Sequence, residues 1–194
     1  MKLVLASASP RRREILSNAG YSFCVRPADM EEYFDPTLPV DKAVEALAEQ
    51  KADCVVQNAA ADEIVLAADT IVVRDGLVLG KPKNEADAFS MLRSLAGRSH
   101  TVYTGVCIAL PGENGRRETF SCASNVRFYP LSDDTIRRYI ATGEPMDKAG
   151  AYGIQGYGCV LVEGIEGDYF NVMGLPIAQT ARYLSQYGVM GTVL

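Results

Sequence analysis

The sequence predicts an α/β fold built on a mixed β-sheet flanked by helices. Two observations carry this. Apolar runs of strand length alternate with stretches whose apolar residues recur at helical spacing. Hairpin signals then interrupt the alternation, which an all-parallel sheet with crossover helices would not contain. A third observation narrows the class: no G-x-G-x-x-G and no P-loop occurs, so both common nucleotide-binding fingerprints are absent.

The first element is a short apolar run, Leu3-Val4-Leu5-Ala6, which reads as a buried strand. Ser9 offers an N-cap hydroxyl and Pro10 suits the first helical position. The helix that follows sets Ile15, Leu16 and Ala19 on one face, and Gly20 ends it. The spacing of Ala43, Val44, Leu47, Ala48, Val55 and Val56 predicts a helix from Val40 to Gln57. Ile64 to Ala68 is a short apolar strand. Ile71–Val73 and Leu77–Leu79 flank Asp75-Gly76, a hairpin signal. Asn84 caps a helix from Glu85 to about Leu95, stopped by Gly97. Thr101–Leu110 and Thr119–Tyr129 read as a long antiparallel hairpin around Pro111-Gly112-Glu113-Asn114-Gly115. Ser132 caps a helix to about Ala141, Val160–Val162 reads as a strand, and Leu175–Tyr187 as a final helix.

Composition excludes several functions. The chain has 194 residues and a net charge of -5, so it lacks the electrostatic footprint of a nucleic-acid binder. A bound polyanion would need local positive charge or a metal. No apolar stretch spans a membrane, and charged residues follow the first apolar run too soon for a signal peptide. The five cysteines are scattered, with no C-x-x-C, which suits a reduced cytoplasmic setting. Cys107, Cys122 and Cys159 fall in strand-like runs and are expected to be buried thiols. The one histidine, His100, stands apart from any nucleophile motif, so a structural role is expected. With one histidine, any metal must be a hard cation on carboxylates and phosphate oxygens, magnesium or manganese.

Residues suited to chemistry gather at a few places. A strand that breaks into a helix leaves backbone N–H groups facing outward, and the helix dipole favours an anion there. Ser7, Ser9, Arg11, Arg12 and Arg13 stand at that point, a composition suited to a phosphate chain. Asp69 follows the apolar run Ile64–Ala68, which puts a carboxylate at the expected end of a sheet strand, where α/β proteins bind ligands. Read locally, Asp69-Thr70 is equally a turn signal. Lys81 lies between Gly80 and Pro82, neighbours that fix it for a phosphate contact. Lys51 on its helix, and Glu31 and Glu32 in a polar loop, would by themselves read as solvated. In Asp147 to Gly158, four glycines surround Gln155, whose amide pairs with the O4 and N3–H edge of uracil or thymine.

Together these segments resemble the Maf family of nucleoside triphosphate pyrophosphatases across nearly the whole chain. The resemblance runs through Leu5–Arg12, Leu47–Ala52, Ala68-Asp69-Thr70, Gly80-Lys81-Pro82, Leu95–His100 with Thr104-Gly105-Val106, Lys148–Gly156, and Gly174-Leu175-Pro176. It implies a single domain over residues 1–194, with an elongated mixed sheet and two lobes around a cleft, as in inosine triphosphate pyrophosphatases. It also implies a nucleotide diphosphatase that hydrolyses between the α and β phosphates, giving a monophosphate and pyrophosphate. The branch acting on dTTP and UTP fits Arg11, Thr70 and Gln155. The branch acting on 7-methyl-GTP looks to carry tryptophan, glutamine and glutamate there, an indole being able to stack on a cationic methylated guanine.

The resemblance assigns Ser7 and Arg12 to the phosphates, with Lys51 and Lys81 beside them. Arg11, Thr70 and Gln155 fall to the base, and Asp69 with Glu32 to a divalent cation or the attacking water. A carboxylate alone is a weak base at neutral pH, and a cation acidifying its bound water would supply what it lacks. The sequence leaves open which role Asp69 has. It also leaves a competing reading, a regulator of septum formation that binds nucleotide or a partner. The oligomeric state is open too, a two-fold homodimer being the commonest closed assembly.

Overall fold

The computed structural model describes residues 1–112 and 115–194. Its sheet has seven strands: β1 (Lys2–Leu5), β2 (Phe23–Val25), β3 (Glu63–Arg74), β4 (Leu77–Leu79), β5 (Ser99–Ala109), β6 (Arg117–Phe128) and β7 (Val162–Glu166). The order is β2-β1-β3-β5-β6-β7, with β4 also on β3. β1 pairs parallel with β2 and β3, while β3–β4 and β6–β7 are antiparallel, so the sheet is mixed as expected. The helices are α1 (Pro10–Asn18), α2 (Val40–Val56), α3 (Glu85–Leu95), α4 (Asp133–Ile140), α5 (Tyr169–Met173) and α6 (Ile177–Ser185).

The chain forms two compact units, each from separate segments. The first comprises Met1–Asp69, Thr104–Cys122 and Gly174–Leu194; the second comprises Thr70–Tyr103 and Ala123–Met173. In the first, Ala48, Ala52 and Val55 of α2 pack on Val4, Val65, Ala67, Cys107 and Ala109. Small residues on both sides let helix and sheet approach closely. Gly105 shows how closely: a Cβ there would lie 2.2 Å from the carbonyl oxygen of Val44 on α2. That carbonyl is backbone and cannot step aside, so only glycine seats α2 at this distance. Burial raises the Cys107 thiol pKa to about 11, which keeps it protonated and inert.

The second unit has a larger side-chain core. Leu92 and Leu95 of α3 and Ile136, Tyr139 and Ile140 of α4 pack around Val72, Val102, Val126, Phe128 and Tyr152. Ser132 caps α4 by accepting the Thr135 N–H, and Asn84 caps α3 by accepting the Asp87 N–H, both at the expected positions. Asn171 of α5 is fully buried and donates to the Val102 carbonyl and the Ser124 hydroxyl, fastening α5 to the sheet.

Four sequence expectations need correction. β3 does not end at Ala68: it runs to Arg74, so Asp69 lies inside the strand and Asp69-Thr70 makes no turn. The apolar run resumes at once in Ile71, Val72 and Val73, all buried, and that continuity outweighs the local turn preference. Residues 156–161, expected to enter a strand at Val160, wind into a 3₁₀ helix instead, and β7 begins only at Val162. Cys159 is therefore exposed, not buried, and Cys122 is only half-buried. The final helix starts at Ile177, because the φ and ψ of Pro176 are not helical, and ends at Ser185. The turn expected over 111–115 includes Glu113 and Asn114, which lie outside the described residues. β2 and α5 are too short to show a period in the sequence.

His100 is structural. It is 3 % exposed, meets the Tyr152 hydroxyl at 2.7 Å through Nε2, and stands edge-on to Phe128 and Tyr152. Burial lowers its pKa from 6.5 to about 4. The unfolded chain therefore takes up a proton that the folded one refuses, so stability is lost as pH falls from 6.5 towards 4. Full development of that difference is worth about 3 kcal/mol. Urea unfolding against pH should show this decline, and His100→Gln should flatten it over the same window.

Candidate active site

Five of the expected site residues gather in the first unit: Ser7, Arg12, Glu32, Lys51 and Asp69. Lys51 is the hub. Its ammonium pairs with the Asp69 carboxylate and lies 3.1 Å from the Glu32 carboxylate. Helical phase explains the placement: Lys51 follows Leu47 and Ala48 and precedes Ala52, all buried, so its stem lies along the packed face and its head reaches β3. Asp69 is nine-tenths buried, and a carboxylate so placed needs a partner of opposite charge. Glu32 comes from an exposed loop that α2 itself holds. The Gln50 amide donates to the Tyr33 carbonyl (2.8 Å) and accepts the Tyr33 N–H (3.0 Å), docking the loop one residue from Lys51.

Arg12 is the second buried charge. Its Nε donates to the Gly174 carbonyl at 2.7 Å and its Nη1 to Ser7 Oγ at 3.1 Å. Burial lowers its pKa, opposed by the nearby carboxylates Asp69 and Glu32; Arg11 lowers it further. A guanidinium stays charged under such pressure. Ser7 Oγ accepts from Arg12 and from the Ser9 N–H, and keeps its own proton to donate. The three arginines, indistinguishable by composition, thus divide: Arg12 is buried, Arg11 half-buried and Arg13 exposed. The start of α1 lies beside Ser7, but its N–H groups are not left open as the sequence implied: Ser9 takes the Arg12 N–H on its hydroxyl and the Arg13 N–H on its carbonyl.

Arg11 also lies in the first unit, while Thr70, Lys81 and Gln155 belong to the second. Thr70 and Gln155 are half-buried and make hydrogen-bond or ionic contacts of their own. Lys81 is exposed and pairs with no carboxylate among the described residues. Around Gln155 stands a network that has no pattern in the sequence. Glu144 accepts the N–H groups of Tyr157 and Gly158 and the Tyr139 hydroxyl proton. Burial resists ionisation of Glu144, but these hydrogen bonds and the nearby Lys148 charge hold its pKa below the ordinary carboxylate value. Neither the Glu144 cap nor the Gly174 carbonyl had a sequence signal beyond its place near a glycine-rich motif. Gln50 was visible only as a neighbour of Lys51.

Among the described residues, no group of three or more His, Cys, Asp and Glu side chains is arranged to hold a metal by itself. Asp69 and Glu32 are hard oxygen donors meeting at one cationic point. Such a pair could hold magnesium or manganese together with phosphate oxygens from a ligand, the usual way magnesium is bound. Among the described residues, no helix is long and apolar enough to cross a membrane.

A mixed α/β sheet carrying a cluster of cations and carboxylates, with Arg12 and Asp69 buried, defines a class of protein suited to anionic ligands. The sequence model of the Maf-like proteins matches residues 2–187, and the chain belongs to that family. The chain is 52 % identical over 188 residues to a dTTP/UTP pyrophosphatase of Moorella thermoacetica, covering 97 % of this chain and 96 % of that one. It is 50 % identical over 184 residues to a dTTP/UTP pyrophosphatase of Syntrophomonas wolfei, covering 95 % and 96 %. Among solved structures, a HAM1 protein from Coxiella burnetii matches at TM-score 0.50 and 15 % identity, covering 96 % of this chain and 99 % of that one. That likeness concerns the fold, and it agrees with the mixed α/β architecture expected from the sequence.

The Lys51–Asp69 pair has a measurable consequence for stability. Lys51→Met leaves a buried carboxylate unmatched and should cost about 3 kcal/mol. Lys51→Met combined with Asp69→Asn should recover at least about 1 kcal/mol relative to the sum of the single changes. Urea unfolding of the four proteins measures the coupling, and strictly additive losses would contradict the pairing.

Proposed function

We propose that this chain is a nucleoside triphosphate pyrophosphatase acting on dTTP and UTP and related pyrimidine or modified nucleotides. Water attacks the α-phosphorus, the bond from that phosphorus to the bridging oxygen breaks, and the nucleoside monophosphate and pyrophosphate separate. The observation that carries the reading is the convergence of Ser7, Arg12, Lys51, Asp69 and Glu32 in the first unit. The substrate class rests on the relatives named dTTP/UTP pyrophosphatases at about half identity over nearly full length.

Hydrolysis of a triphosphate is chiefly a matter of placing a water and matching charge. Arg12 offers fixed N–H donors to phosphate oxygens, and Ser7 its hydroxyl proton. Lys51 and Lys81 neutralise the charge that builds on the leaving pyrophosphate. Asp69 holds the attacking water by accepting its proton or by ligating a cation, with Glu32 beside it. A bound magnesium or manganese would acidify that water and screen the phosphates. Arg11, Thr70 and Gln155 read the base. The Gln155 amide donates to O4 and accepts from N3–H, an arrangement that uracil and thymine share. The role is clearance of unwanted nucleotides from the cytoplasmic pool, with no nucleic-acid partner and with a homodimer as the working assembly.

A pyrophosphate-release assay on dTTP, UTP, CTP, ITP and 7-methyl-GTP tests the reading. We expect dTTP and UTP to lead, turnover to require a divalent cation, and Asp69→Asn to lower it about 10³-fold. Near-normal turnover by Asp69→Asn would refute both roles given to that carboxylate. Absence of turnover on every nucleotide would favour the regulatory reading, in which nucleotide is bound and not cleaved.

The two arginines should separate in the same assay. Arg12→Ala is expected to lower kcat/KM about 10²-fold or more for every nucleotide. Arg11→Trp should chiefly change which base is accepted, raising 7-methyl-GTP relative to dTTP. Equal losses on all nucleotides from both changes would undo the division.

A further inference from the structure

Gln155 sits at the middle of a short loop, and the bonds that hold this loop come from two side chains outside it. Tyr139 of α4 accepts the Gly153 N–H at 3.1 Å, two residues before Gln155. Its hydroxyl donates to Glu144 Oε1 at 2.9 Å. Glu144 in turn accepts the N–H of Tyr157 (2.8 Å, on Oε2) and of Gly158 (3.0 Å, on Oε1), two and three residues after Gln155. One unbroken chain of hydrogen bonds therefore ties the two ends of the loop to each other. Lys148 donates to the Glu144 carbonyl at 2.6 Å, fixing the backbone that carries the carboxylate.

The glycines fit this arrangement and no side chain would. A Cβ on Gly156, whose φ is +67°, would lie 2.4 Å from Glu144 Oε2. A Cβ on Gly158 would lie 2.2 Å from the Gly153 carbonyl and 2.7 Å from the Tyr139 hydroxyl. The loop ends are pressed together across the Tyr139–Glu144 pair, which a looser loop would not require.

A glutamine amide can serve two bases. In one sense it donates to O4 and accepts from N3–H of uracil or thymine. Flipped about its last torsion, it accepts from the amino group of cytosine and donates to cytosine N3. Hydrogen-bond chemistry alone gives no preference; discrimination needs the amide held in one sense against fixed neighbours. We infer that Tyr139 and Glu144 are positioning residues for base selection, acting through Gln155 by holding its loop in one conformation. This rests on the reading of Gln155 as the residue that meets the base.

The test measures kcat/KM for UTP and CTP in wild type, Gln155→Ala, Tyr139→Phe, Glu144→Gln, and Tyr139→Phe combined with Gln155→Ala. Tyr139→Phe and Glu144→Gln should each lower the UTP-to-CTP ratio about tenfold, towards that of Gln155→Ala. The double change should have the ratio of Gln155→Ala alone, since the second residue acts through the first. If Gln155→Ala shifts the ratio and the other two single changes do not, the positioning role fails while the reading of Gln155 stands. If Gln155→Ala itself leaves the ratio unchanged, the reading of Gln155 fails and takes the inference with it. Amide exchange in the unaltered protein checks the claim without any variant. Gly153, Tyr157 and Gly158 N–H groups should be protected, and exchange at free-loop rates would overturn the positioning role.

Discussion

A carboxylate inside a sheet strand and an ammonium at the end of a helical side chain set the terms for the first unit. Asp69 lies within β3, nine-tenths buried, where an unmatched charge would be intolerable. Lys51 matches it from α2. The pair requires α2 to lie at one distance and in one rotation, and small residues make that distance available. Ala48 and Ala52 face the sheet, and Gly105 admits the Val44 carbonyl where any Cβ would collide. The loop bearing Glu32 then attaches to α2 through the Gln50 amide. A local ion pair thereby fixes a helix, a strand and a loop together.

Such a cluster has no good account in stability alone. Replacing a buried ion pair by apolar residues of similar volume is often neutral or stabilising. Arg12 adds a second buried cation, strained by desolvation and supported by the Gly174 carbonyl and Ser7. Concentrated, prepositioned charge of this kind suits a ligand that brings several negative charges. A triphosphate has that character, and rigid donors need no reorganisation when it arrives.

Much of the fold could be read from the sequence because caps and periods are local. Ser132, Asn84 and Val40 mark helix starts within a residue of where they occur. The failures are equally physical. Asp69-Thr70 has turn chemistry, yet the buried residues on both sides keep it extended, which only the tertiary context decides. Val160 and Leu161 have strand propensity, yet Glu144 takes the N–H groups of Tyr157 and Gly158 and winds the segment the other way. Site legibility followed the same rule. Ser7 and Arg12 declare themselves by the strand-to-helix break, whereas Lys51 and Glu32 look solvated until α2 and the loop are folded against β3. Through the resemblance they could be assigned; from local pattern they could not.

The two clusters differ in how far along the chain their parts lie, and this shapes how each behaves. Arg12 and the Gly174 carbonyl are 162 residues apart, so the charge cluster around Arg12 exists only when both ends of the chain have come together. Its integrity follows that of the whole first unit. The network around Gln155 spans positions 139 to 158 and is closed by contacts of 5 to 14 residues' separation. Short closures cost little chain entropy, so this loop can be rigid without drawing on distant elements. With Gln155 meeting the base as proposed, a family could alter base preference within one short stretch while leaving the charge cluster untouched. On the proposed reading of Gln155, separating a global device for charge from a local device for the base is what would let one fold serve nucleotides that differ only in their ring.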